Sequence, residues 1–511
     1  MSIERMGEDP PVPTLTGLLA RRAGDSGDRE FLRFAEGSWT FGEIDAWTSR
    51  LAHRLIEVDG VRPGERVAIM LPNVVHWPVV WLAALKAGAV VVPVNCSYRR
   101  ADLAFVLRDS GARIVFTDAE RAGLVAETAD VGVIDIADDG SEPFPARPPR
   151  VPVDAETLAN LQYTSGTTGF PKACQLTHDY WLRLGWVCAA ATGLGAEDVI
   201  LTAQPYSYMD PQWNTALALT VGAPLVVLPR FSASTFMADV RRHGVTFFYV
   251  LGSMPTLLFK QPPVPEDRDN RLRMVFCSGI PVALHEKLEE RWGAPWREIY
   301  GMTESGVDLF SPLSDAAGTG SLGGPVPTKQ ARVVAPDGSE VPDGEPGELV
   351  VAGKPMMTGY WNRPDATEAV LREGWLHTGD LVVRPPDGGL RLVGRIKDMV
   401  RRGGENVACA EVEAALERDD RVVAAAVVAV PDEVLGEEVK AFLQLRNGIA
   451  ADRTTAERIL GEAGAQLARF KVPRYVEFVD GFPRTPSERV SKPALRERDP
   501  GLTYDFSSRR S

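Results

Sequence analysis

Three features of this sequence predict an α/β protein of more than one domain. Strand-like apolar runs alternate with helix-length segments through the first 300 residues, short strands and turns take over near residue 320, and a second α/β pattern follows Lys397. Strands alternating with helices imply a parallel sheet covered by helices. At 511 residues the chain is also too long for one core. The expected layout is a large N-terminal domain over residues 1–397, made of α/β layers with a small β subdomain at about 320–397, and a small α/β domain over 398–511.

Taken in order, residues 41–58 read as a helix, with Phe41, Ile44, Leu51 and Leu55 near helical spacing. VAIMLPN (67–73) reads as a buried strand. A Trp-rich helix (76–87), the strand VVVPVN (90–95), the helix ADLAFVLRDSG and the strand RIVFTD (113–118) continue the alternation. The Asp- and Pro-rich stretch 138–154 reads as a polar connection. Beyond it come strand APLVVLP (223–229), a helix near 234–243, strands TFFYVLG (246–252) and RMVFCSG (273–279), and a helix near 283–292. In PDGSEVPDGEPGELVVAG the Asp-Gly dipeptides are turn signals, hence the β subdomain. A helix near 410–417 and the strand VVAAAVVAVP open the last domain.

Composition narrows the function classes. Hydrophobic content of 44% and charged content of 24% are those of a soluble globular chain. A formal net charge of -13 argues against nucleic acid or an anionic membrane as partner. An anionic substrate must then meet a local positive site. Cys96, Cys174, Cys188, Cys277 and Cys409 are scattered and make no C-x-x-C pair, so reduced thiols in a cytoplasmic protein are expected. The start, MSIERMGEDPPVPT, has no apolar core of a signal peptide, and no apolar run approaches the ~20 residues of a membrane span.

The chemistry concentrates in LQYTSGTTGFPKACQLTH, Leu161 to His178. Gly166 and Gly169 allow a tight turn and close approach to a ligand. Exposed N–H groups of such a turn form an anion-binding concavity. The hydroxyls of Thr164, Ser165, Thr167 and Thr168 add donors, and Lys172 adds a mobile positive charge, which suits a polyphosphate. The spacing is not that of G-x-x-x-x-G-K-[ST]. Read alone, such a cluster marks a surface loop.

This segment resembles, almost residue for residue, the phosphate loop of the adenylate-forming (acyl-CoA ligase, AMP-binding) superfamily, and five further segments follow in that family's order. CSGIP, Cys277 to Pro281, resembles the turn beside adenine, which implies nucleotide contacts from Ser278, Gly279 and Ile280. REIYGMTESG, Arg297 to Gly306, implies that Tyr300 with Gly301 and Met302 faces adenine, that Thr303 binds the α-phosphate, and that Glu304 reaches a Mg²⁺ held by the phosphates, as suits a hard cation. GYWNRPDATEAVLREGWLHTGDL, Gly359 to Leu381, implies that Asp380 accepts hydrogen bonds from the ribose. GRIKDMVRRGGENVACAEVE, Gly394 to Glu413, implies an Arg395 contact to ribose or phosphate, a hinge at Lys397 about which a mobile C-terminal domain turns, and a Gly403–Gly404 turn that faces the site in the second half-reaction. Arg401 and Arg402 are read either as a solvated corner or as contacts to the CoA nucleotide.

The last segment departs from the pattern. The family reads P-x-T-x-x-G-K-x-x-[KR]; aligning Pro483, Thr485 and Lys492 puts Glu488 at the Gly and Arg489 at the catalytic Lys. Arg keeps the charge but is not equivalent to Lys. Either Arg489 does that work, or Lys492 does, or the first half-reaction differs.

The resemblance implies an ATP-dependent acid–CoA ligase that activates a small or aromatic carboxylic acid as its adenylate, releases pyrophosphate and forms a thioester. ATP, Mg²⁺ and CoA are the implied cofactors and co-substrates. Positioning and charge stabilisation, rather than covalent side-chain chemistry, would carry catalysis. The acid pocket is placed around QPYSYMDPQWN with Tyr208, Asp210, Trp213 and Met254, where a packing role for Trp213 and Met254 competes. Two alternatives stand beside this reading. One is an adenylating enzyme with another acceptor or anion, such as a diazotase that activates nitrite for an aryl amine. The other is a nucleotide-binding protein that has lost catalysis. Whether the chain forms a homodimer is left open.

Overall fold

The computed structural model describes residues 10–164, 171–386, 388–402, 405–432, 434–484, 490–498 and 501–507. Ser165, Gly166, Thr167, Thr168 and Gly169, the glycines Gly403 and Gly404, and Glu488 and Arg489 lie outside the described residues, as do the side chains of Lys397 and Arg401. The chain divides into two compact units, residues 1–331 with 351–376, and residues 332–350 with 377–511.

The first unit contains two large sheets among its described residues. One has six strands, in the order Gly132–Asp135, Ala112–Thr117, Arg66–Met70, Val90–Pro93, Leu158–Thr164 and Lys172–Thr177. All its pairings are parallel except that of Leu158–Thr164 with Lys172–Thr177. Val67 to Met70 and Val90 to Pro93 are buried along almost their whole length, which explains their unbroken apolar runs. The Trp-rich helix, His76–Lys86, is buried nearly all round. Helix Phe41–Glu57 begins at a capping box between Thr40 and Glu43.

The second sheet has nine strands. Met274–Ser278, Phe247–Leu251, Ile200–Thr202, Leu225–Val227 and Glu30–Phe34 run parallel in its centre. Trp296–Met302 lies parallel to Met274–Ser278 and turns back antiparallel into Gly306–Phe310. The expected strands and helices of this region are thus present within a few residues of their expected ends. None of the five cysteines is in a disulfide.

The second unit is built on a long antiparallel hairpin, Val422–Asp432 with Gly436–Leu445. Its inward residues, Val427, Val439, Ala441 and Leu443, pack with Val412 and Leu416 of helix Cys409–Leu416 and with Ile459 and Leu460 of helix Arg453–Gly464. Among the described residues no helix is long and apolar enough to cross a membrane.

Candidate active site

In the first unit the antiparallel ladder of Leu158–Thr164 with Lys172–Thr177 sets Thr164 opposite Lys172. The candidate phosphate loop is therefore closed at its base by hydrogen-bonded strands. Thr164 Oγ1 also donates to the Lys172 carbonyl at 3.3 Å. Segment 358–361 joins the far side of this hairpin. Thr358 N donates to Gln175 O, Gln175 N to Gly359 O, and Trp361 N to Ala173 O. Cys174 consequently stands opposite Tyr360. That register brings the Tyr360 ring to 5.1 Å from Lys172 Nζ, a cation–π distance.

The Tyr360 hydroxyl donates to Glu304 Oε1 at 2.7 Å. Burial, with the Glu304 carboxylate beside it, pushes the Tyr360 phenol well above its ordinary value, so it stays a donor. The structure thus gathers Lys172 and Glu304, 132 residues apart in sequence, around one ring. Sequence reasoning passes over Tyr360, although GYW lies inside a quoted motif. Its only signal is that an aromatic with a hydroxyl there can meet a carboxylate and a cation together.

Thr303 and Glu304 sit in the turn between Trp296–Met302 and Gly306–Phe310. Gly301 is required, because a Cβ there would strike the Gly306 carbonyl oxygen. Gly306 has φ +75° and a Cβ there would lie 2.8 Å from Pro355 Cγ. Beneath the turn lies an ion pair, Lys329 Nζ to Asp308 Oδ1 at 3.1 Å, with both side chains 0% exposed. Lys329 also donates to the carbonyls of Ser305, at 2.9 Å, and Pro355. Asp308 accepts from Ser305 Oγ at 2.5 Å. Tyr180 Oη donates to the Thr303 carbonyl at 2.9 Å. These buried groups hold the turn, while Thr303 is half-buried and Gly301 exposed.

Ser278, Gly279 and Ile280 end strand Met274–Ser278, whose neighbour Trp296–Met302 carries Tyr300. Ser278 Oγ donates to Ile299 O at 2.8 Å. Of the candidate acid-pocket residues, Tyr208 precedes helix Met209–Val221 and its hydroxyl accepts from Asn95 Nδ2 at 2.7 Å. Asp210 falls in the first turn of that helix and is half-buried. Trp213 and Met254 are buried at 5% and 9% exposure. Trp213 packs edge-on against Tyr249, and Met254 belongs to the core with Phe248 and Val250. A chain of buried amides supports this loop: Asn160 donates to Gln212, Gln212 to Gln162, and Gln162 to Ser207 O. It ties the loop before the helix to the strand that leads into the phosphate loop.

In the second unit Asp380 and Arg395 are opposed on paired strands, and Arg395 Nε lies 2.8 Å from Asp380 Oδ1. The turn before Asp380 is fixed by Glu348, which accepts from Gly379 N at 3.0 Å and pairs with His377. Lys397 lies in a short helical turn, Ile396–Asp398. Arg402 stands opposite Glu405 on the hairpin that bounds the Gly-Gly pair, and its Nε is 2.7 Å from Glu438 Oε1. Lys492 Nζ is 2.8 Å from Glu413 Oε1. Burial works against its charge, but Glu413, Cys409 and Asp398 outweigh that and raise its pKa.

Among the described residues no cluster of three or more His, Cys, Asp or Glu side chains is placed to hold a metal ion. A single carboxylate such as Glu304 is compatible in type with Mg²⁺, which takes one or two carboxylates and fills its octahedron with phosphate oxygens and water.

Comparison with known proteins places the chain in a family. The model of the AMP-binding enzyme family matches residues 19–361, and that of the AMP-binding enzyme C-terminal domain matches residues 411–489. A feruloyl-CoA synthase from Amycolatopsis sp is 35% identical over 493 residues, covering 94% of this chain and 97% of the relative. A sulfoacetate–CoA ligase from Cupriavidus necator is 34% identical, with 94% and 96% covered. ATP-bound MatB from Rhodopseudomonas palustris has a similar structure, at a TM-score of 0.87 and 28% identity, with 94% and 98% covered.

Proposed function

This chain belongs to the AMP-binding enzyme family and is an ATP-dependent acid–CoA ligase, and from that premise we propose how its residues divide the reaction and which acids it takes. The carboxylate oxygen attacks the α-phosphorus of ATP; an O–P bond forms and the bond to pyrophosphate breaks. The CoA thiol then attacks the acyl carbon, and AMP leaves with the bonding pair. Lys172 and the amides of the loop after Thr164 hold the β- and γ-phosphates. Thr303 donates to the α-phosphate. Tyr300, with the Ser278–Ile280 turn and the Gly301–Met302 backbone, receives adenine, while Asp380 and Arg395 bind ribose. Bound through Glu304, Mg²⁺ would supply charge neutralisation at the phosphates. The arrangement that carries this reading is the Tyr360 ring between Lys172 and Glu304.

For the cation that approaches the α-phosphate from the C-terminal region, the engagement of Lys492 with Glu413 favours Arg489. Lys397, between the two matched regions, is the proposed hinge between half-reactions. The acid is small or aromatic. Tyr208 and Asp210 would meet it with polar groups, while Trp213 and Met254 pack in the core beneath them. Purified enzyme incubated with ATP, Mg²⁺ and a panel of such acids should release AMP and pyrophosphate faster with CoA than without, and yield the acyl-CoA by mass. Equal release with and without CoA across the panel sinks the thioester step. A parallel arm with nitrite and an aryl amine should stay silent; turnover there would select the diazotase reading.

A further inference from the structure

Glu298 has no part in the mechanism above. It lies on Trp296–Met302, two residues before Tyr300, and is 6% exposed. A buried carboxylate needs hydrogen-bond donors. Its donors here are two successive backbone amides of the Cys277–Pro281 turn: Gly279 N donates to Oε2 at 3.0 Å, and Ile280 N donates to Oε1. Gly279 has φ +91°, and successive N–H groups in such a turn make an anion nest. The anion in this nest is the protein's own. Two more bonds brace the turn, Ser278 Oγ to Ile299 O at 2.8 Å and Tyr249 Oη to Ser278 Oγ at 3.0 Å. Both Glu298 and Ile299 belong to the strand that carries Tyr300, and Cys277 pairs with Glu298 across the ladder. Turn and ring are therefore held as one body.

We propose that Glu298 is a positioning residue whose carboxylate fixes the Cys277–Pro281 turn in the shape that receives adenine, and so sets the affinity for ATP. The inference rests on the reading of that turn and Tyr300 as the adenine site.

Burial pushes the Glu298 carboxyl up to about 7, against the opposing pull of the Gly279 and Ile280 amides. The Cys277 thiol on the paired strand is itself pushed well up by burial and stays neutral. Tyr249 donates to Ser278 Oγ of the turn. Arg297 points to the other face of the strand and pairs with Glu289 at 2.5 Å. Just past the paired antiparallel strand, Ser311 donates its backbone N–H to the Glu298 carbonyl. Protonation would set an O–H donor against an N–H donor and loosen the turn. The KM for ATP should accordingly rise as pH falls through about 7.

The test is acid-dependent pyrophosphate exchange by the full chain, between pH 6 and 8. Glu298→Gln loses one of two acceptor oxygens, so the KM for ATP should rise roughly tenfold while kcat stays within about twofold. The part of the pH dependence that exceeds the nucleotide's own titration should vanish. A wild-type KM together with a wild-type pH profile overturns the proposal. Should that variant fail to fold, Glu298→Asp keeps the charge and shortens the reach; the same rise is expected, and a wild-type KM overturns the proposal. Tyr300→Ala separates the two levels. If it weakens ATP while the Glu298 variants do not, only the role of Glu298 falls. If all keep the wild-type KM, the adenine assignment falls as well.

Discussion

Two ion pairs between strand residues do opposite jobs in this molecule. Lys329–Asp308 lies under the turn that carries Thr303 and Glu304, and neither side chain touches solvent. Asp380–Arg395 lies across paired strands of the second unit, where Asp380 is 6% exposed and Arg395 41%. The first pair spends its hydrogen bonds on Ser305 and on the carbonyl of Pro355. It shapes a backbone and offers nothing to a ligand. The second leaves its guanidinium two-fifths exposed to solvent. Residue type does not distinguish a scaffold charge from a binding charge; burial and the partners of the remaining hydrogens do.

Breaking the buried pair should have the largest effect. Lys329→Met leaves Asp308 without its counter-charge in a dry site and strips two carbonyls of their donor. A stability loss of about 3–5 kcal/mol is expected in denaturant unfolding. Adding Asp308→Asn should recover a substantial part of it, because the stranded charge is gone. A single variant as stable as wild type would show that the pair contributes no scaffold.

The pair with a half-exposed guanidinium should behave the other way. Asp380→Ala should leave the unfolding midpoint nearly in place and weaken ATP through lost ribose hydrogen bonds, by about 1.5–3 kcal/mol, or roughly ten- to hundredfold. ATP titration checks this, and unchanged affinity would refute the ribose assignment.

A smaller effect is expected at Tyr360, whose hydroxyl meets the candidate metal carboxylate. Tyr360→Phe keeps the ring against Lys172 and removes only the bond to Glu304. Pyrophosphate release should fall about five- to tenfold, equivalent to roughly 1–1.4 kcal/mol, with a higher Mg²⁺ requirement. An unchanged Mg²⁺ requirement would mean that Tyr360 does not orient Glu304.

These residues also mark how far the sequence could be read. Period and punctuation were enough for Phe41–Glu57, His76–Lys86 and Met274–Ser278, because local burial alone decides them. Lys172, Thr303, Glu304 and Asp380 stood out because each lies in a contiguous motif. Tyr360, Glu298 and Lys329 did not. Their roles come from partners that chain folding brings together: Glu304 for Tyr360, the Gly279–Ile280 amides for Glu298, and Asp308 and Pro355 for Lys329. Trp213 is instructive in reverse. It lies in the candidate acid-pocket segment, yet packs edge-on against Tyr249 in the interior. A large aromatic in a functional segment still follows its apolar surface into the core.

The smallest effect should come from Arg395→Ala. Its guanidinium is two-fifths exposed, so its pair with Asp380 is screened by water and worth about 0–1 kcal/mol to folding. Removing it should shift the unfolding midpoint little. If Arg395 nonetheless contacts ribose or phosphate, the KM for ATP should rise by several-fold, and the rise should shrink in high salt, which already weakens an exposed charge contact in the wild type. Combined with Asp380→Ala, the loss should be less than the sum of the two, because the residues share one partner set. Full additivity would mean that the pair seen between them has no bearing on nucleotide binding, and the contrast with Lys329–Asp308 would then rest on burial alone.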